Sequence, residues 1–210
     1  TVIGLYWLSA AESLVMVLPA ATVFALGVCF FWPTMLGFVS ERVPKSGAFG
    51  LGLMGAVGMA VTGLFTAPQM GAIADKYLHE KLAPTDVIAV VNEAKATFPA
   101  LIDQAQGPIK EEVRKALSDA EAVEKAYQAA GKLPEGDTAG ALREVIAQGG
   151  TSDAANKAKA VLNPADNYGG RMAFRAIVPF TALLILVFGF LYWQDRQRGG
   201  YKVEKLTPTA

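Results

Sequence analysis

The chain has 210 residues, 52% of them hydrophobic, and its 19 basic and 19 acidic side chains cancel. A balanced charge gives no argument for nucleic acid or for an anionic substrate. A single cysteine, Cys29, excludes an internal disulfide framework. The charges are sorted into blocks: residues 13–40, 46–74 and 176–194 contain none, and most polar side chains lie between them and in the tail. About 18 apolar residues suffice to cross hydrocarbon. Each run is therefore predicted to be a membrane span, and the chain an all-α, multi-pass membrane protein whose first partner is the lipid bilayer.

Residues 1–8 are apolar and lack both the positive leader and the small-residue cleavage site of a signal peptide. Residues 1–12 are expected to be the tail of one membrane helix and a turn, in a chain cut from a longer protein. Residues 13–82 hold two spans joined by a polar loop at 40–46, and so short a loop makes the two helices antiparallel neighbours. Pro33 lies inside the first span, where a proline removes a helix hydrogen bond and is expected to kink it. A membrane helix tolerates such a kink where neighbours or a cavity satisfy the freed carbonyl. Trp32 and Thr34 flank the kink as candidate substrate contacts. An indole face stacks on a sugar or base ring, and a hydroxyl bonds a polar solute. The plainer alternative is a packed Trp and a Thr bonded to its own helix. Gln69 is a third candidate, because polar groups in apolar spans face the protein interior. Glu12 is either a proton-linked acid or part of a solvated turn. Cys29 reads as a small packing residue, and His79, beside Glu80 and Lys81, as solvated.

In the second span Gly52, Ala56 and Ala60 repeat at four-residue spacing, as do Gly63, Ala67 and Gly71. Small residues let backbones approach closely in lipid, so these are helix-packing positions, or a face that slides during a transport cycle. From 83 to 168 the composition changes to that of a small helical inserted domain. Val87, Val90, Val91 and Ala94 fall at helical spacing, as do Val113, Ala116, Leu117, Ala120, Val123 and Tyr127. Pro108 and Gly131 bracket the second of these helices, and shorter helices are expected at 138–147 and 152–162. Residues 169–210 form the last span, about 173–193, and a basic tail. Tyr192 and Trp193 close the span at interfacial depth.

Basic residues favour the cytoplasm. The tail carries Arg196, Arg198, Lys202 and Lys205, and the 40–46 loop carries Arg42 and Lys45. Two spans separate them, so they share a side. The block 75–167 has 15 acidic and 11 basic residues and is expected outside. Lys76, Lys81, Arg171 and Arg175, which flank spans on that outer side, run against the trend.

The run from Gly27 to Gly37 (GVCFFWPTMLG), followed by Ser40 to Pro44 (SERVP) and Gly47-Ala48, resembles the tenth and eleventh helices of major facilitator superfamily transporters. The run Ala67 to Asp75 (APQMGAIAD) is similar to the close of the eleventh helix in sugar-porter-like members, the fucose-permease-like group among them. The last span and its tail resemble the twelfth helix. The resemblance covers residues 1–77 and 169–200 and leaves out the insertion. It implies the C-terminal helices of a twelve-helix bundle, whose N-terminal helices lie outside this chain. It also implies a plasma or inner membrane location with a cytoplasmic C-terminus, and alternating access around a midplane site. Glu41, Arg42 and Lys45 are then candidates for a cytoplasmic gate; from the residues alone they read as solvated charges.

The solute implied is small and polar, sugar-like or nucleoside-like, with proton or sodium as the open choices for a coupling ion. No metal spacing, phosphate loop or nucleophile–base pair is visible, so no enzyme and no cofactor are expected. The competing reading is a membrane-anchored binding or scaffold protein acting through the inserted helical domain.

Overall fold

The computed structural model describes residues 1–200. Among the described residues the chain is helical throughout, without strands: α1 Val2–Ala10, α2 Leu14–Cys29, α3 Phe31–Arg42, α4 Gly47–Val61, α5 Ala67–Lys81, α6 Pro84–Gln104, α7 Pro108–Ala130, α8 Asp137–Gly149 and α9 Asp153–Gln197. A 3-10 turn, Pro44–Ser46, precedes α4, and a π turn, Thr62–Thr66, separates α4 from α5. Three stretches are long and apolar enough to cross a membrane: Leu14–Arg42, Pro44–Lys81 and Asp153–Gln197. They make this a membrane protein. The chain divides into two compact units, Thr1–Gly71 with the chain from Ala173 onward, and Ala72–Met172.

In the first unit α1 packs on α2. Gly4 makes this possible: a Cβ there would stand 2.5 Å from the backbone N and Cα of Phe24, so nothing larger than hydrogen fits. Gly27 lies equally close to the backbone of Thr1. Leu5, Ser9, Ala11 and Ala20 are buried along this seam. The closest small-residue packing in the unit is thus on α1 and α2. On the following span a Cβ added at Gly52, Gly63 or Gly71 would meet open space, and Ala56, Ala60 and Ala67 are exposed.

The first two spans are irregular near prolines, which deny a hydrogen-bond donor. α2 stops at Cys29 and α3 begins at Phe31, two residues before Pro33. A proline there cannot donate to the carbonyl four residues back, which is that of Cys29. The kink expected in one continuous helix is therefore a break between two. Pro68 follows the π turn Thr62–Thr66, and here the ladder loosens without breaking. The Thr62 hydroxyl donates to the Gly58 carbonyl at 2.8 Å, and the Thr66 hydroxyl to the Val61 carbonyl at 3.4 Å.

The second unit has a conventional core. The stripes read from the sequence are its buried faces: Val87, Val90, Val91, Ala94 and Phe98 from α6, and Val113, Ala116, Ala120 and Val123 from α7. Leu142 and Val145 of α8, with Ala154, Ala158 and Leu162 of α9, join the same cluster. Pro84 and Pro108 start α6 and α7, where a missing N–H costs nothing and φ is already helical. Gly131 ends α7 in the left-handed conformation, φ 67°, its N–H donating to the Tyr127 carbonyl at 2.7 Å. Around the core, Lys95 pairs with Glu124, Arg143 with Asp166 at 2.7 Å, and Lys157 with Glu93 at 3.5 Å. The sequence separates a helix at 152–162 from a last span at 173–193. In the structure both belong to α9, which runs for 45 residues through Gly169 and Gly170.

Phe98, 0% exposed, is the largest fully buried side chain in this unit. Phe98→Ala is expected to cost the unit about 3–5 kcal/mol. Amide hydrogen exchange on the whole chain should speed up in α6, α7 and α8 and stay unchanged in α1 and α2.

Candidate functional site

The residues singled out in the sequence fall in two places within the first unit. The first is the break between α2 and α3. Trp32 is half exposed on the first turn of α3, and its ring edge lies 3.8 Å from where a Cβ on Gly55 would stand. The indole thus reaches from α3 to α4, in ordinary van der Waals range of the Gly55 position. The Thr34 hydroxyl donates to the Phe30 carbonyl at 2.5 Å, and the Thr34 N–H bonds the same oxygen at 3.2 Å. The carbonyl at the break is satisfied twice by one residue, as expected of a threonine one turn on. This is the plainer role for Thr34, and in this conformation its proton is already engaged. Gln69 sits on the first turn of α5 just past the π turn, exposed. Among the described residues no hydrogen bond joins Trp32, Thr34 and Gln69.

The second place is the end of the unit where α3 and α9 finish. Arg42 forms an ion pair with Asp195, their side chains 25% and 18% exposed. The Arg42 guanidinium also lies 5.1 Å from the centre of the Phe38 ring. Phe38 meets Phe188 edge to face, ring centres 6.2 Å apart. A groove of about 620 Å³ opens beside them, lined by Phe38, Phe188, Leu191, Tyr192, Asp195 and Arg196. Glu41 and Lys45 are exposed nearby in sequence, on the last turn of α3 and on the 3-10 turn. The partial burial of the pair matters, because fully exposed ion pairs contribute little. Here a bonded arginine with an aromatic face beneath it joins the end of one span to the end of another.

Asp195 and the Phe38–Phe188 contact are absent from the sequence reading. A signal for Asp195 exists: two spans separate it from Arg42, so both charges belong at the same end, and opposite charges at one end are candidate partners. The π turn had a signal too, a proline four residues after Leu64 within an apolar run. Among the described residues no group of histidine, cysteine and carboxylate side chains can hold a metal ion. Comparisons with family models, curated proteins and solved structures found no match.

A double-mutant cycle on Arg42→Ala and Asp195→Ala is expected to give a coupling of about 0.5–3 kcal/mol, as for residues in direct contact. Thermal unfolding of the protein in detergent provides the measurement. Lys45→Ala combined with Asp195→Ala should be additive.

Proposed function

We propose that the chain is the C-terminal part of a major facilitator superfamily transporter, carrying a small polar solute, sugar-like or nucleoside-like, by alternating access. The observation that carries this reading is that two of the three apolar spans interrupt their hydrogen-bond ladder midway, at Phe30 beside Pro33 and at Thr62–Thr66 before Pro68. A helix that only anchors a domain gains nothing from such interruptions. In hydrocarbon they persist where protein or a water-filled cavity covers them, and transporters place their binding sites at such points. Trp32, Thr34 and Gln69 all lie within a turn of an interruption.

Two further features support the reading. The apolar window of the Pro44–Lys81 span has none of its residues buried, and its small-residue stripe meets open space. Helices of the same protein outside this chain would cover it. The Arg42–Asp195 pair joins two span ends on the side that the basic loop and tail mark as cytoplasmic, and it suits a gate that holds them together in one state. The spans correspond to the tenth, eleventh and twelfth helices, and α1 to the end of the ninth. The protein would sit in the plasma or inner membrane, with a proton or sodium ion as the open alternatives for coupling.

The second unit favours one other reading. Its complete core, and a groove of about 550 Å³ lined by Ala122, Val123, Ala126, Pro134, Gly140 and Ala141 together with Asp119, Asp137 and Glu144, exceed what a connection between two spans requires. A membrane-anchored binding or scaffold protein would work through this unit.

Uptake of radiolabelled sugars, nucleosides and carboxylates into vesicles carrying the full-length protein separates the two. Transport predicts uptake of one solute class, reduced at least about tenfold by Trp32→Ala with membrane insertion unchanged, the scale of one lost stacking contact. No uptake of any class, with or without a proton or sodium gradient, would leave the binding protein as the better account.

A further inference from the structure

The groove between α7 and α8 is charged at both ends and apolar between them. On α7 its lining runs from Asp119 through Ala122 to Ala126, and on α8 from Asp137 through Ala141 to Glu144. Steps of three and four residues put each set on one face of its helix. The short turn 131–136 makes the two helices an antiparallel pair. Asp119 and Glu144 therefore stand at the end of the groove away from the turn, and Asp137 at the end beside it. Along α8 the two ends are about 10 Å apart, at 1.5 Å per residue. Asp119 and Glu144 are partly buried, and among the described residues none of the three carboxylates has an ion pair or a side-chain hydrogen bond. Arg143, next to Glu144, is turned to Asp166. Lys115 stands one turn before Asp119, yet no ion pair joins them.

The alanine floor offers apolar contact and no side-chain donor or acceptor. The volume of about 550 Å³ is in the range of small-molecule sites. Carboxylates at both ends with apolar surface between them are the complement of an aliphatic chain that carries ammonium groups. Lysine side chains behave in this way, their methylenes lying on apolar surface while the charged head meets its partner. We propose that this groove binds a linear aliphatic polyamine, its methylenes on Ala122, Ala126 and Ala141, one terminal ammonium at Asp137 and the other at Asp119 and Glu144. Length selects among such ligands. Bonds of about 1.5 Å advance roughly 1.25 Å each in an extended chain, so the terminal nitrogens of spermidine stand about 11 Å apart and those of putrescine about 6 Å. Spermidine reaches both ends of the groove and putrescine only one. The groove lies wholly within the second unit, and binding there depends on neither the transport nor the anchoring reading.

Isothermal titration calorimetry of the full-length protein in a non-ionic detergent, with spermidine, putrescine or magnesium chloride as titrant, tests this. Spermidine is expected to bind saturably, and putrescine about twofold to fivefold more weakly, the scale of one lost surface ion pair. At the same scale for each carboxylate, D119N/D137N/E144Q should weaken spermidine binding on the order of tenfold. D86N/D103N/D153N removes the same charge from exposed positions of the same unit and should leave binding unchanged. Ala122→Leu keeps every charge and fills the floor from an exposed helix position, where leucine is nearly as good a helix former as alanine. It should weaken spermidine as much as the triple variant does, and it replaces that variant if circular dichroism shows lost helix. Equal binding of spermidine, putrescine and magnesium ion, equal loss in the control variant, or undiminished binding to Ala122→Leu would overturn the proposal. Binding of a lysine-rich peptide where spermidine does not bind would overturn it in favour of a protein partner.

Discussion

A backbone amide in hydrocarbon has no water to bond, so every donor and carbonyl must find a partner within the protein. The rest of this structure depends on that constraint. It explains why the apolar spans are helical and why the places where their ladder is disturbed are few. At the α2–α3 break the Phe30 carbonyl accepts both the N–H and the hydroxyl of Thr34. At the π turn, Thr62 and Thr66 turn their hydroxyls onto Gly58 and Val61. Threonine is suited to this work because its β-hydroxyl reaches a carbonyl one turn back without leaving the helix.

The two units settle their stability by different means. In Ala72–Met172, water drives valine, leucine and phenylalanine side chains into one cluster, and charged pairs ring it. In the first unit the surface is itself apolar, with Leu14, Val15, Phe49, Met59, Leu64, Phe180 and Leu186 largely exposed. Among lipid tails such side chains gain nothing by meeting one another, so association rests on close backbone approach and on polar contacts. Gly4 against Phe24 provides the first kind and Arg42 with Asp195 the second.

Much of this was legible in the sequence, for physical reasons that differ by region. The spans follow from uncharged runs longer than the bilayer needs, and the faces of α6 and α7 from a 3.6-residue period. Pro108 and Gly131 marked the ends of α7 because their backbone preferences are fixed. The sequence misled where two signals competed. A helix at 152–162 and a last span at about 173–193 are expected as separate elements, yet α9 runs through Gly169 and Gly170, and Gly169 is required at a crossing where α5 leaves no room for a side chain. The stripe at Gly52, Ala56 and Ala60 is expected from the sequence to be a packing face, but the period of four says nothing about which helix would meet it, and in the structure Gly52 faces open space. Pairings such as Arg42 with Asp195 join residues 153 positions apart, and only the fold brings those together. The same holds for the candidate site: Trp32, Thr34 and Gln69 are legible as polar or aromatic groups beside prolines, and a Thr34 bonded to its own helix is one of two readings there, between which the structure chooses.

The π turn at Thr62–Thr66 has a geometric consequence for the stripe that crosses it. One extra residue in a single turn rotates everything downstream by roughly a hundred degrees from the azimuth an unbroken α-helix would give it. Counted on paper, Gly52, Ala56, Ala60, Gly63, Ala67 and Gly71 fall along one seam. On the molecule the seam swerves at Thr62, and Ala67 and Gly71 are phased to a different azimuth from the three residues before it. The span therefore presents two short smooth tracks out of line with each other, and a partner helix can follow one of them only as far as the swerve.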